Sequence, residues 1–120
     1  MAKKEEQWSI DTLHANSARF KKLAKRYAGE FDSCMNNLNK IQVLLRQGQK
    51  IGSFKLGFFR SEGSGLYRVG QTGVRSAKEL RVYVYFYQEE NGVIYPITIG
   101  TKETQQDDIN DAKKVIKKLR

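Results

Sequence analysis

Leu80-Arg81-Val82-Tyr83-Val84-Tyr85-Phe86-Tyr87 is the segment that most narrows what this chain can fold into. Its β-branched and aromatic residues alternate with a period of two, which predicts a β-strand. Leu80, Val82, Val84 and Phe86 then share one wholly apolar face, and that face must be covered. Arg81, Tyr83, Tyr85 and Tyr87 share the other. Glu89-Glu90-Asn91-Gly92 follows, and Asn-Gly is a strong hairpin-turn signal. Val93 to Ile99 returns as the antiparallel partner, with Pro96 marking an edge position or a local bulge.

The cover is written upstream. From Ser17 onward Phe20, Leu23, Ala24 and Tyr27 recur at helical spacing, while Arg19, Lys21, Lys22, Lys25 and Arg26 fill the other positions. Ala28-Gly29 breaks or bends that helix. A second stripe runs through Phe31, Cys34, Met35, Leu38, Ile41 and Leu45 to a stop at Gly48. The two stripes predict a helical hairpin lying on one face of a sheet. Trp8 to Leu13 reads as a short first strand. Most of the glycines fall between positions 48 and 79, so loops and short strands are expected there. Leu66 to Val69 is one such strand, and Gly73 to Lys78 a turn. A last helix begins near Asp107-Asp108, with Ile109, Ala112, Val115, Ile116 and Leu119 as its stripe. Lysines crowd its later turns, the favourable sign for the helix dipole. The expected order is β-α-α-β-β-β-α. This is an α+β domain: a small, mainly antiparallel sheet packed by a helical hairpin and a C-terminal helix. One domain spans 1–120, with 1–7 frayed.

Composition bounds the chemistry. The chain has 120 residues, room for one core. Its one cysteine, Cys34, excludes an intramolecular disulfide framework and fits a reducing cytoplasm. With one histidine, His14, a zinc site or a Ser-His-Asp triad is not expected; neither a metal nor a cofactor is. Cys34 lies on an apolar stripe, as a core residue does, and His14 reads as a surface or satisfied histidine rather than a catalytic base. No run approaches the ~20 apolar residues of a membrane span, and the N-terminus does not read as a secretory signal. Lys and Arg number 22 against 13 Asp and Glu, a net charge of +9, with 11% aromatics. That balance points to a polyanionic partner. Taken as open, the Arg81-Tyr83-Tyr85-Tyr87 face offers a guanidinium for phosphate and flat rings for bases. Tyrosines also favour strands for packing reasons, but Arg81 beside them and the net charge favour RNA contact. Gly65 to Thr72 fits a phosphate-loop pattern except that Gln71 replaces the lysine, and its interior is β-forming, so nucleotide binding is rejected.

Several motifs together resemble one family. Gly65-Leu66-Tyr67-Arg68-Val69, a basic turn with Arg75, the Leu80–Phe86 strand, Asn91-Gly92-Val93-Ile94-Tyr95-Pro96-Ile97, Thr101-Lys102-Glu103-Thr104-Gln105 and a lysine-rich last helix occur in that order. This looks like the RelE/HigB toxin superfamily, phage-derived branch, over residues 8–119. The resemblance implies a toxin of a toxin–antitoxin pair. It implies metal-independent mRNA cleavage, often on the ribosome, and an acidic antitoxin as partner. Arg81 matches the strand arginine that contacts the scissile phosphate. Lys102 matches the basic position after the last strand. Arg68 and Arg75 match basic positions on the preceding strand and turn, and Lys55 the one near the first sheet strand. Glu103 stands where the family has a second base, and no tyrosine or histidine matches its C-terminal catalytic position. The implied catalytic set is Arg81, Lys102 and Arg75; the RNA-binding set is Lys55, Arg68, Tyr83, Tyr85 and Tyr87. The alternative is a non-catalytic RNA- or protein-binding module of the same fold: a ParE-like inhibitor or a mobile-element interaction protein.

Overall fold

The computed structural model describes residues 7–75, 78–88 and 92–119. Residues 1–6 of the expected frayed start lie outside this range, as do Ser76 and Ala77 of the Gly73–Lys78 turn and Glu89, Glu90 and Asn91 of the hairpin turn. A short strand β1 (Ser9–Ile10) leads into helices α1 (Ser17–Arg26) and α2 (Ala28–Arg46). Strands β2 (Phe59–Gly63), β3 (Leu66–Gly70), β4 (Leu80–Tyr87) and β5 (Val93–Thr101) follow, and then helix α3 (Gln105–Leu119). The sheet order is β1-β5-β4-β3-β2. β1 runs parallel to β5, and every other pair is antiparallel.

The α+β class is as expected; the element order is not, because β2 is an additional strand. Phe59-Arg60-Ser61-Glu62-Gly63 carries one buried residue, Phe59, and is otherwise polar. An edge strand needs little apolar patterning, so hydrophobic periodicity passes over it. Its turn was the available signal. Ser64 (φ 58°) and Gly65 (φ 81°) both take left-handed backbone, as a two-residue hairpin of this type requires.

One sheet face packs as the alternation predicts. Leu80, Val82, Val84, Val69, Ile94 and Ile99 are buried against Cys34, Leu38, Ile41 and Leu45 of α2. Each such side chain contributes about 1.5–3 kcal/mol through apolar burial. Phe20 and Leu23 of α1, and Tyr27 just after it, are only partly buried on the same core. The break between the helices falls at Tyr27 (φ −126°, ψ 57°), one residue before the expected site. Trp8 closes one end, its ring edge-on to Phe86 at 6.2 Å. Gly92 is required there: a Cβ would lie 2.7 Å from the indole. Pro96 sits at a bulge. Tyr83 pairs with Thr98 and Val84 with Pro96, so Ile97 is the inserted residue.

The second face is not open, which corrects the reading of Tyr83 and Tyr85 as exposed platforms. Ile109, Ala112 and Ile116 of α3 pack onto Leu66, Tyr83, Tyr85 and Ile97. Tyr83 is 0% exposed and Tyr85 8%. A sheet presents two faces, and the hairpin of helices covers only one. The apolar stripe of α3 needs a surface of its own, and tyrosine rings supply it.

Candidate functional site

The polar residues converge where the first turn of α3 crosses the ends of β3, β4 and β5. Arg81 lies opposite Gly70 on one side and Gly100 on the other. Arg68 lies opposite Tyr83, which makes Arg68 and Arg81 diagonal neighbours on the α3 face. The Lys102 amide donates to the Glu79 carbonyl at 3.1 Å, holding the end of β5 beside the start of β4. The Arg81 Nη2 donates to the Glu79 carboxylate at 3.2 Å. Arg68 Nε stands 3.6 Å from Glu62 Oε1, and Arg68 Nη1 donates to Gln105 Oε1 at 3.2 Å. Lys78 and Glu103 pair on the rim.

Two groups in this cluster are unmatched. Arg81 Nη1 and the Tyr83 hydroxyl are buried with no hydrogen-bond partner among the described residues. A buried polar group left so costs about 1–3 kcal/mol, which calls for a physical explanation. Burial pushes the Tyr83 phenol up to about 12; the negative charge of Asp108 adds to this, and Arg81 and Arg68 partly oppose it. The phenol therefore keeps its proton near neutrality and is no base.

Asp108 is itself buried, against Gly100. Its carboxylate accepts the Thr104 hydroxyl at 2.6 Å and pairs with Arg19 Nη2 at 3.1 Å. Arg19 Nε also donates to the Ile99 carbonyl. Burial raises the Asp108 carboxyl, while Thr104 and Arg19 act against the rise. This clamp ties α1, β5 and α3 together. Sequence reading placed Arg19 only off the apolar stripe of its helix and missed the clamp. The available signal was Gly100, a glycine inside an otherwise apolar strand, which marks a close approach.

Of the expected catalytic set, Arg81 and Lys102 meet at this sheet end. Arg75 is exposed in the β3–β4 connection at the same end. Gln71 holds that connection, accepting from the Leu80 amide at 2.8 Å and donating to the Lys78 carbonyl. Of the expected RNA-binding set, Arg68 joins the cluster. Tyr83 and Tyr85 lie under α3 and present no ring face to a base. Tyr87 is half-buried, its ring 6.4 Å from that of Tyr95. Lys55 sits between Phe54 and Leu56, which pack on the α2 side, so it belongs to the other layer. Sequence reading also missed Glu79, two residues before Arg81 in the chain, and Glu62, which meets Arg68 across the β2–β3 pairing. His14 lies against Tyr95 at 4.9 Å, in a ring contact apart from the cluster.

Among the described residues, no group of three or more His, Cys, Asp or Glu side chains could hold a metal ion. No helix among them is long and apolar enough to cross a membrane. The chain matches no protein-family model, and it is significantly similar to no curated protein and to no solved structure.

Proposed function

We propose that this protein engages RNA phosphate at the Arg68-Arg81-Lys102 end of the sheet and cleaves the RNA there, as a toxin of the RelE/HigB kind. The observation that carries the proposal is the placing of Arg68 and Arg81 as diagonal neighbours at the sheet end where Lys102 is exposed, with Arg81 held by the more-than-half-exposed Glu79. A phosphate oxygen supplies both the acceptor and the negative charge that these cations call for.

The chemistry needs three roles. Glu79, more than half exposed and held by Arg81, takes the proton of the 2′-hydroxyl as that oxygen attacks phosphorus. Arg81 and Arg68 stabilise the charge that grows on the phosphoryl oxygens, and Arg81 does so at any working pH. The bond to the 5′-oxygen breaks, and that oxygen leaves with a proton from Lys102 or from water. The products are a 2′,3′-cyclic phosphate and a 5′-hydroxyl.

The test is purified wild type, Arg81→Ala, Glu79→Gln and Lys102→Ala on mRNA, with and without ribosomes, with end mapping and melting curves. Arg81→Ala should lower cleavage by about 10²–10³. Glu79→Gln should lower it by about 10²–10⁴. RNA affinity should fall with salt at a log–log slope of about −3.5 for about five phosphates on a single strand. Wild-type cleavage by a folded Arg81→Ala protein would overturn the assignment. A wild type that binds RNA and cuts it in neither format would favour the second reading, a non-catalytic binding module. That reading is favoured by one observation: Glu103, where the resembled family has a second base, pairs with Lys78 and brings negative charge to this sheet end.

A further inference from the structure

A pocket of about 270 Å³ lies between α1 and α3 over β5. Arg68 and Arg81, from β3 and β4, do not line it. Ile97, Ala112 and Val115 give it an apolar lining. Three polar side chains that also line it are not fully used. Thr98 is 5% exposed, yet its hydroxyl bonds none of the described residues. Unlike the Tyr83 hydroxyl it is not sealed in, and the space it opens to is this pocket. A buried hydroxyl left so calls for a partner from outside the chain. Arg19 gives Nη2 to Asp108 and Nε to the Ile99 carbonyl, while its Nη1 bonds none of the described residues. Asp111, exposed on α3, makes no ion pair with any of them. It follows Asp108 by three residues on that helix, which sets the two Cβ atoms about 5–6 Å apart. An unpaired carboxylate and a guanidinium with a free edge therefore share one small pocket.

We propose that this pocket binds a free α-amino acid with a small apolar side chain. The ammonium of the ligand donates to the Asp111 carboxylate. Its carboxylate accepts from Arg19 Nη1 and from the Thr98 hydroxyl, and its side chain rests on Ile97, Ala112 and Val115. Charge selects this class. A simple anion is repelled by Asp111. A simple cation is repelled by Arg19 and, at long range, by a chain of +9. A zwitterion carries no net charge and answers both groups with charge-assisted hydrogen bonds. Size agrees: the pocket falls just below the range of about 300–1,000 Å³ that drug-sized ligands occupy. The His14 imidazole, edge-on to Tyr95 at 4.9 Å, lines it from the β1–α1 connection as a flat wall. Arg68, Arg81 and Lys102 take no part, so the inference stands apart from the RNA proposal.

The experiment titrates the isotope-labelled full chain, followed by NMR, with valine, alanine, glycine, propionate and ethylamine. Valine should move the Ala112 and Val115 amide signals and leave that of Arg68 in place. Glycine should bind at least about 10-fold more weakly than valine, for want of methyl groups on the apolar lining. Propionate and ethylamine are alanine less one charged group, and each should bind about 10-fold or more weakly than alanine. Asp111→Asn should weaken valine binding by about 10-fold, and Thr98→Val by about 5–10-fold. Arg81→Ala should leave it unchanged, even where it abolishes RNA cleavage, so the two proposals fail separately. Melting curves check folding; should Thr98→Val unfold, the exposed Asp111 decides. No shift at millimolar valine, propionate or ethylamine binding as tightly as alanine, or binding indifferent to Asp111→Asn would overturn the proposal.

Discussion

Replacing Gly100 with alanine tests the clamp that seats α3 over the candidate site. The new Cβ would lie 1.7 Å from Asp108 Oδ2 and 2.6 Å from Thr104 Oγ1. Ordinary contact begins near 3.4 Å, so the carboxylate has to withdraw by more than an ångström. Its side chain is only 3% exposed, and it cannot reach water without lifting the first turn of α3. Withdrawal parts Asp108 from Arg19 and Thr104 while leaving the charge buried. Breaking a buried pair in this way costs about 3–5 kcal/mol. Against a total stability of about 5–15 kcal/mol for a domain, that is a large fraction. In this size range it should lower Tm by about 10–20 °C. Asp108→Ala removes the obstacle, and Arg19, 35% exposed, can rehydrate; that change alone should cost about 1–3 kcal/mol. With the carboxylate gone, the nearest remaining atom given for the added methyl is the Thr104 hydroxyl oxygen at 2.6 Å, which no longer bonds Asp108 and can give way. The double variant Gly100→Ala/Asp108→Ala should therefore match Asp108→Ala alone, a coupling equal to the Gly100→Ala cost of about 3–5 kcal/mol. Urea denaturation of the four proteins measures the cycle. Additive losses, or a Gly100→Ala protein within about 1 kcal/mol of wild type, would refute the close-approach account.

Asp108 also carries a pH signature. Its folded carboxyl titrates above its ordinary value of 3.8, because burial disfavours the charge. Between the ordinary and the raised value the folded state binds more protons than the unfolded one, so this group's contribution is present at low pH and lost as pH rises. The stability of wild type relative to Asp108→Asn should accordingly fall as pH climbs from about 4, read from melts at stepped pH; a rise would contradict the burial. Tyr83→Phe deletes an unmatched buried hydroxyl, so it should leave stability unchanged or raise it by up to about 1–3 kcal/mol. Cys34 is fully buried, and burial pushes its thiol up to about 12. A thiol reagent at pH 8 should leave it unmodified in the folded protein and label it promptly in denaturant.

How much was legible divides along physical lines. A period of two assigns residues to faces of a strand without reference to anything else, so the partition of Leu80–Tyr87 held in three dimensions. The stripes of α1, α2 and α3 were equally local facts, as was the disturbance at Pro96, since a residue without an amide hydrogen interrupts a ladder wherever it stands. Which layer covers which face is not local. Arg81, Tyr83 and Tyr85 looked like an open surface until α3 proved to need one for Ile109, Ala112 and Ile116. Strand β2 escaped because an edge strand with one buried side chain has almost no pattern to display. The pairs Arg68–Glu62 and Arg19–Asp108 join charges whose meeting depends on strand pairing across a glycine turn and on helix docking, whereas Arg81–Glu79 joins residues two apart in sequence. The sequence by itself determined the class of fold, the faces of its elements and a strongly basic balance. Only the packing of α3 across the sheet decided which of those charges would be paired, which buried, and which two buried polar groups would be left without a partner among the described residues.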